Sequence, residues 1–365
     1  MTLILFSRIL TSSLLLVAIL SSFNVLALNI TFINPGFNKS TDDVNNSTGD
    51  FWYKVSAAMH AASDDLDINL TVYYANRNHI LMKELISKAL KAKPDLLILV
   101  DEKQVISNYL LSINTDNVPL YFLLNRPNAS RLHYLIQHNA NIVGSMVPDN
   151  RMGGRLLAEA LFNKHRNSSN TNMKILALLG DYTTPAATAR RAGLTDYLNS
   201  YPEASLFAED VANWSLEESY TKTLAFLQNA PEINAIWCAN DAIAFGAIKA
   251  LNTLNLRKHV VVGGINWDTP ENKDITLDVS IGGHVLLGAH ALLNIYDASK
   301  KPEQFPLQHK QVASFNNRTD DYEPLINKIN SGDLKMVDFL LFSQTQENHL
   351  DFTVENLAHE LKNSL

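Results

Sequence analysis

"AIWCANDAIAFGAIKAL", residues 235–251, decides the fold. The apolar run Ala235–Ala239 is too short for a buried helix and has the length of a strand covered on both faces. It stops at Asn240-Asp241, and a small-residue helix begins at once, predicted over 242–254. A buried strand running straight into a helix is the unit of a parallel α/β sheet. In such sheets ligands sit beyond the carboxyl ends of the strands, where loop polar groups and helix N-termini converge. Asn240 and Asp241 are therefore candidate ligand contacts, although Asp241 reads equally well as a helix N-cap.

The same grammar recurs outward from this stretch. "NITFIN" (29–34) ends in Asn34, "VPLYFLL" (118–124) runs into Asn125-Arg126, and "VVVGGI" (260–265) runs into Asn266. Further strands are predicted at 68–75, 95–100, 141–147 and 174–180. Helices are predicted at 51–66, 79–92, 104–114, 151–165, 187–201 and 215–230. In the first of these, Trp52, Val55, Met59 and Ala62 recur on one face. The polar segment 38–50 between the first strand and the first helix reads as a loop on the side where strands end. The chain breaks near Val147-Pro148-Asp149, leaving several βα units on each side.

Composition narrows the function. The 365 residues are 46% apolar with a net charge of −7 and no Lys/Arg block, which argues against a nucleic-acid partner. The first 27 residues carry one charge, Arg8, then an apolar and Ser/Thr run ending in Val25-Leu26-Ala27. They predict a signal peptide cleaved after about Ala27, hence export to the periplasm, with an uncleaved N-terminal anchor as the alternative. The single cysteine, Cys238, allows no internal disulfide and reads as a small buried hydrophobe. The triplets at Asn46 and Asn167 suit surface loops. Gly-x-Ser-x-Gly, His-Glu-x-x-His and phosphate-cradling glycine motifs are absent. His133 and His138 are five apart and do not share a helical face. No enzyme, cofactor or metal site is expected.

Several motifs together resemble those of type I periplasmic binding proteins of the ribose/galactose group. They are "GDFWYKVSAAMHAASDDL", "VPLYFLLNR", "VPDNRMGGRLLAEAL", "ATARRAGL", "AIWCANDAIAFGAIKAL" and "VVVGGINWDTPE". The resemblance covers about residues 29–316 and implies two Rossmann-like parallel-sheet lobes joined by a three-strand hinge near 146–149, 269–283 and 309–314. The expected lobes are 28–147 with about 282–309, and 148–281 with about 310–316; residues 317–365 form a C-terminal extension. It implies a small sugar-like ligand held in the interlobe cleft. By position in the motifs, Phe51 and Trp52 stack on the sugar, Arg126 and Arg190 bind hydroxyls, Trp214 supplies a second aromatic wall, and Asn240, Asp241 and Asn266 bond ring hydroxyls. Asn34, Asn125 and His284 are further candidates. A delivering role to an inner-membrane ABC permease is implied; a sensing role on a membrane kinase, cyclase or chemoreceptor is the alternative.

Two features depart from that group. Asn125 and Asn266 stand where a carboxylate is usual, while both arginines are kept, which points to an anionic ligand: a sugar acid, a phosphorylated sugar or a borate-like diol. Asp101 or Glu102 could restore the balance. The extension, with helices predicted at 323–330 and 353–363, is the second departure.

Overall fold

The structure, a computed structural model, describes residues 27–39, 47–168, 171–270, 272 and 274–364. The expected signal peptide, apart from Ala27, and positions 40–46 of the polar loop lie outside the described residues.

Two six-stranded sheets are present, each parallel except at one strand pair in the second. The first contains β1 (Leu28–Asn34), β2 (Ile68–Tyr74), β3 (Leu96–Leu99), β4 (Leu120–Leu123) and β5 (Ile142–Pro148). Helices α1 (Phe51–Asp65), α2 (His79–Ala92), α3 (Val105–Leu110) and α4 (Ala129–Gln137) alternate with them. After α5 (Asn150–Ser168) the second sheet takes over with β6 (Met173–Leu179), α6 (Pro185–Ser200), β7 (Ala204–Val211) and α7 (Leu216–Asn229). It continues with β8 (Ala235–Cys238), α8 (Asp241–Thr253), β9 (Val261–Ile265) and β10 (Val279–Gly282). The chain then returns to the first lobe with α9 (Leu287–Lys300) and β11 (His309–Val312), and crosses once more to β12 (Asn316–Asn317). Strand orders are β11-β5-β4-β3-β1-β2 and β12-β10-β9-β8-β6-β7. Strands covered on both faces by helices must be apolar throughout, and β3, β4 and β8 are buried at every position.

Each lobe has its own core, around Phe32, Ile98 and Phe122 in the first and Trp237, Ile243 and Ile265 in the second. The chain passes between sheets after β5, after β10 and between β11 and β12. That is the three-strand connection expected of this fold. One boundary moves: residues 310–312, allotted above to the second lobe, lie in β11, which pairs with β5 in the first sheet. The extension packs on the first lobe. Leu325, Ile326 and Ile329 of α10 (Glu323–Ser331) and Leu357 and Leu361 of α11 (Val354–Ser364) join the first core. Among the elements that escape prediction are α4, β7, β10 and α9. β7 alternates mostly exposed positions at a sheet edge, and β10 is only four residues long.

Candidate ligand-binding site

The strand ends of both sheets face each other across a cavity lined by residues of both lobes. The lobes touch around it. Asn125 Oδ1 of the first lobe accepts from Ala186 N of the second at 3.1 Å, and Leu216 N donates to Ser47 O at 3.0 Å.

Three aromatic side chains line the cavity. Phe51 and Trp52 begin α1, and Trp214 follows β7. Phe51 stacks on His284 with centroids 4.9 Å apart and meets Trp52 edge-on at 5.2 Å. Trp214 anchors its indole through Nε1, which donates to Asp181 Oδ2 at 2.9 Å. Its ring lies against Gly180, where any Cβ would collide with the indole. A flat apolar wall with a fixed polar edge suits the C–H face of a sugar ring.

Arg190 is the charged centre. It sits on α6, which crosses α5 so closely that Gly154 fits against the Arg190 backbone and Gly193 against that of Arg151; a Cβ at either would strike a carbonyl oxygen. The motif glycines thus set the crossing that delivers the guanidinium. Nε donates to Asn150 Oδ1 at 3.0 Å, one terminal nitrogen to Ala239 O at 2.6 Å and the other to His284 Nε2 at 3.1 Å. The guanidinium lies 5.8 Å from the Trp214 ring and 5.6 Å from Phe315. Burial lowers its pKa to about 9, so it keeps its charge at neutral pH. His284 is held well below its ordinary range by burial and by the Arg190 charge. An arginine can only donate, so the neutral imidazole accepts at Nε2 and carries its proton on Nδ1. That nitrogen is buried and has no partner among the described residues.

The structure sorts the sequence candidates. Phe51, Trp52, Asn125, Arg190, Trp214, Asn240, Asn266 and His284 are gathered around one cavity. Asn34, Arg126 and Asp241 do not line it. Asn34 is fully buried, accepts from Gly36 N and donates to Trp52 O at 2.8 Å, so it holds the α1 entry loop. Arg126 bonds Ser145 Oγ at 3.0 Å in a neighbouring depression with His309. Asp241 is turned behind the wall, where Oδ2 accepts from Asp268 N and Ser280 Oγ at 2.8 Å each. Asn240 is the N-cap instead: its Oδ1 accepts from Ile243 N at 2.9 Å.

Five polar residues that are not among the candidate ligand contacts also line the cavity: Thr48, Arg77, Glu102, Asn150 and Thr184. Arg77 follows β2, and Glu102, named above only as a possible charge balance, follows β3. They pair with each other, both Glu102 oxygens lying 2.9 Å from one Arg77 nitrogen. The strand-end rule that selected Asn125 points to both. Asp101, the other suggested balance, is fully buried outside the cavity, and its Oδ1 accepts from Ser107 N.

A profile described as a periplasmic binding protein domain matches residues 44–273. The chain belongs to that family. It is 27% identical over 232 residues to the D-apiose import binding protein of Actinobacillus succinogenes, covering 63% of this chain and 66% of that protein. It is 28% identical over 117 residues to the D-ribose/D-allose-binding protein of Pseudomonas aeruginosa, covering 32% and 35%. The matches thus span two thirds or less of these relatives' lengths. A periplasmic sugar-binding protein from Pseudomonas fluorescens superposes with a TM-score of 0.73 at 25% identity, over 90% of this chain and 99% of that one.

Proposed function

We propose that the chain is an exported solute-binding protein of the periplasm, which captures a small sugar-like molecule between its lobes and presents it to the permease of an ABC transporter. The carrying observation is the interlobe cavity itself, where aromatic planes from both lobes flank a buried guanidinium with unused donors. Phe51, Trp52 and Trp214 cover the apolar faces of the ligand, and Arg190, His284 and the asparagines at 125, 150, 240 and 266 meet its oxygens. The chain acts by binding and not by catalysis. The names of its relatives, an import binding protein for D-apiose and a binding protein for D-ribose and D-allose, support the ligand class and the transport role.

Closure about the three crossings encloses the ligand, as contacts from the two lobes are complete only when they meet. The test uses chain unfolded and refolded to strip carried ligand, then titrated with a panel of sugars and sugar derivatives. A ligand that binds only the folded protein raises the melting temperature, and small-angle scattering should show compaction at saturation. The saturated protein should then stimulate ATP hydrolysis by a reconstituted permease encoded alongside it. No melting shift across the panel would remove the proposal.

A further inference from the structure

The asparagines of the cavity are not neutral in what they offer. Asn125 Oδ1 accepts from Ala186 N, Asn150 Oδ1 from Arg190 Nε, and Asn240 Oδ1 from Ile243 N. Each partner can only donate, so each amide must turn its oxygen to the protein. What remains for a ligand is the NH₂ group. The amide nitrogens of Asn125 and Asn240 have no partner among the described residues, and that of Asn150 has only a 3.5 Å approach to Pro148 O. Asn266 alone is reversed, giving its nitrogen to Asp268 Oδ2 at 3.1 Å and keeping its oxygen.

Arg190 adds to the imbalance. Three of its five N–H groups are bonded to protein, leaving two, and no carboxylate among the described residues touches it. His284 adds the orphan Nδ1–H. The one carboxylate among the described residues that line the cavity, Glu102, is held at both oxygens by Arg77, so that end is a neutral pair. Asp241 lies near enough to influence Arg190, but its bonds go to Asp268 N and Ser280. Burial and the adjacent Asp268 raise its pKa, which weakens it as a counter-ion. A buried cation with unspent donors and no counter-ion is costly until something supplies the missing charge.

Resting on the sugar-binding reading above, we propose that the ligand is an acidic sugar, a small polyhydroxylated frame bearing one carboxylate that seats on Arg190 and His284. A sugar hydroxyl needs an acceptor for its own proton, and this wall has few. A carboxylate only accepts, and its two oxygens match the two spare guanidinium N–H groups, beside the His284 ring that lines the same cavity. One uncompensated cation also suits a monoanion better than a phosphate dianion. The Arg77–Glu102 pair and Asn266, which both donate and accept between them, take the hydroxyls.

The experiment is calorimetric titration of the refolded, ligand-free chain with matched pairs: galacturonate, its methyl ester and galactose; ribonate and ribose; and ribose 5-phosphate. Hydrogen bonds to a charged group contribute roughly 1.5–3 kcal/mol, so one acid should bind at least about tenfold more tightly than its neutral partner and its ester. Arg190→Gln should erase that preference; if this variant does not fold, the matched pairs on the unaltered chain decide. A neutral sugar that binds as well as its acid overturns the inference and leaves the sugar-binding function standing. A phosphate ester that binds while both acids fail overturns it as well. Silence from every compound removes both proposals.

Discussion

Two buried polar clusters lie back to back across the wall of the cleft, and they are finished to different degrees. Behind the wall, Lys54 of α1 reaches Asp268 Oδ1 at 2.5 Å and Asn330 Oδ1 at 2.7 Å. Asn330, on the extension helix α10, also donates to Trp267 O and accepts from Thr269 N. One lysine therefore ties the first lobe, the second lobe and the extension at a single point, with two of its ammonium donors bonded to protein. In front of the wall, Arg190 and His284 carry spare donors with nothing to meet them among the described residues. Proteins rarely leave buried polar groups unpaired, so a buried cation with spare donors facing a cavity marks where a ligand completes the bonding, whereas the Lys54 cation has its carboxylate within the protein. The hinge-side cluster should answer mutation in stability, and the cleft-side cluster in binding.

The largest test of that division is Lys54→Met. It strands Asp268 as a buried carboxylate facing Asn330 Oδ1, and breaking a buried ion pair from one side costs about 3–5 kcal/mol. Denaturant unfolding should show a loss of that size. Removing both charges, as in Lys54→Met with Asp268→Asn, should recover part of it, since no lone charge is left behind. A single variant that loses under about 1 kcal/mol would show that the two clusters are not different in kind.

A second test sits where α9 meets the extension. His290 stacks on Phe352 at 4.6 Å, and burial, with help from Lys310, lowers its pKa from 6.5 to about 4. The native imidazole stays neutral over a range in which the unfolded one is protonated. The unfolded chain therefore binds more protons between pH 6.5 and 4, and stability falls as pH drops through that window. A shift of this size is worth up to ~3 kcal/mol. His290→Phe keeps the ring stack and should make the acid loss shallower by that amount. His284, His60, His79 and His309, depressed chiefly by burial as well, contribute to the loss that remains. Parallel curves for the two proteins would place the acid sensitivity elsewhere than the extension contact.

Much of this was legible because a few patterns have only one physical solution. Short apolar runs stopping at polar residues must be buried parallel strands, and they led to Asn125, Asn240 and Asn266. The glycines of "RMGG" and "RRAGL" are legible too, since a close helix crossing cannot tolerate a side chain there. The failures come one residue away from the successes. Asp241 follows Asn240 and Arg126 follows Asn125, yet the turn from strand to helix rotates each away from its neighbour's direction. Asn34 is a strand-end polar group that spends its bonds on the loop it holds. A strand-end pattern says that a polar group is needed; whether backbone or ligand needs it depends on where the neighbouring loop runs. Arg77 was hidden for a related reason. It lies in a turn with Asn76, both at positive φ, three residues beyond the last strand position, where strand periodicity has already ended.

The smallest expected effect is the sharpest control on the comparison, because it concerns the residue next to Arg190. Arg191 follows it on α6 but faces outward, gripping Glu209 with Nε–Oε2 at 2.8 Å and a second bond at 2.6 Å, and its side chain is 48% exposed. The two arginines share sequence motif, helix and charge, and differ only in surroundings. Water competes for the outer pair, so its removal costs little; exposed ion pairs are worth about 0–1 kcal/mol. Arg191→Ala should therefore lower stability by no more than that and leave ligand affinity within about twofold. Arg190→Gln on the same helix should abolish most of the binding, since among the described residues the guanidinium is the only charged donor in the cavity without a paired carboxylate. Side-by-side calorimetry of the two variants tests the orientation of α6 directly. Equal losses of affinity would mean that the helix presents the other face to the cleft and that the donor-rich wall has been assigned to the wrong side of the helix.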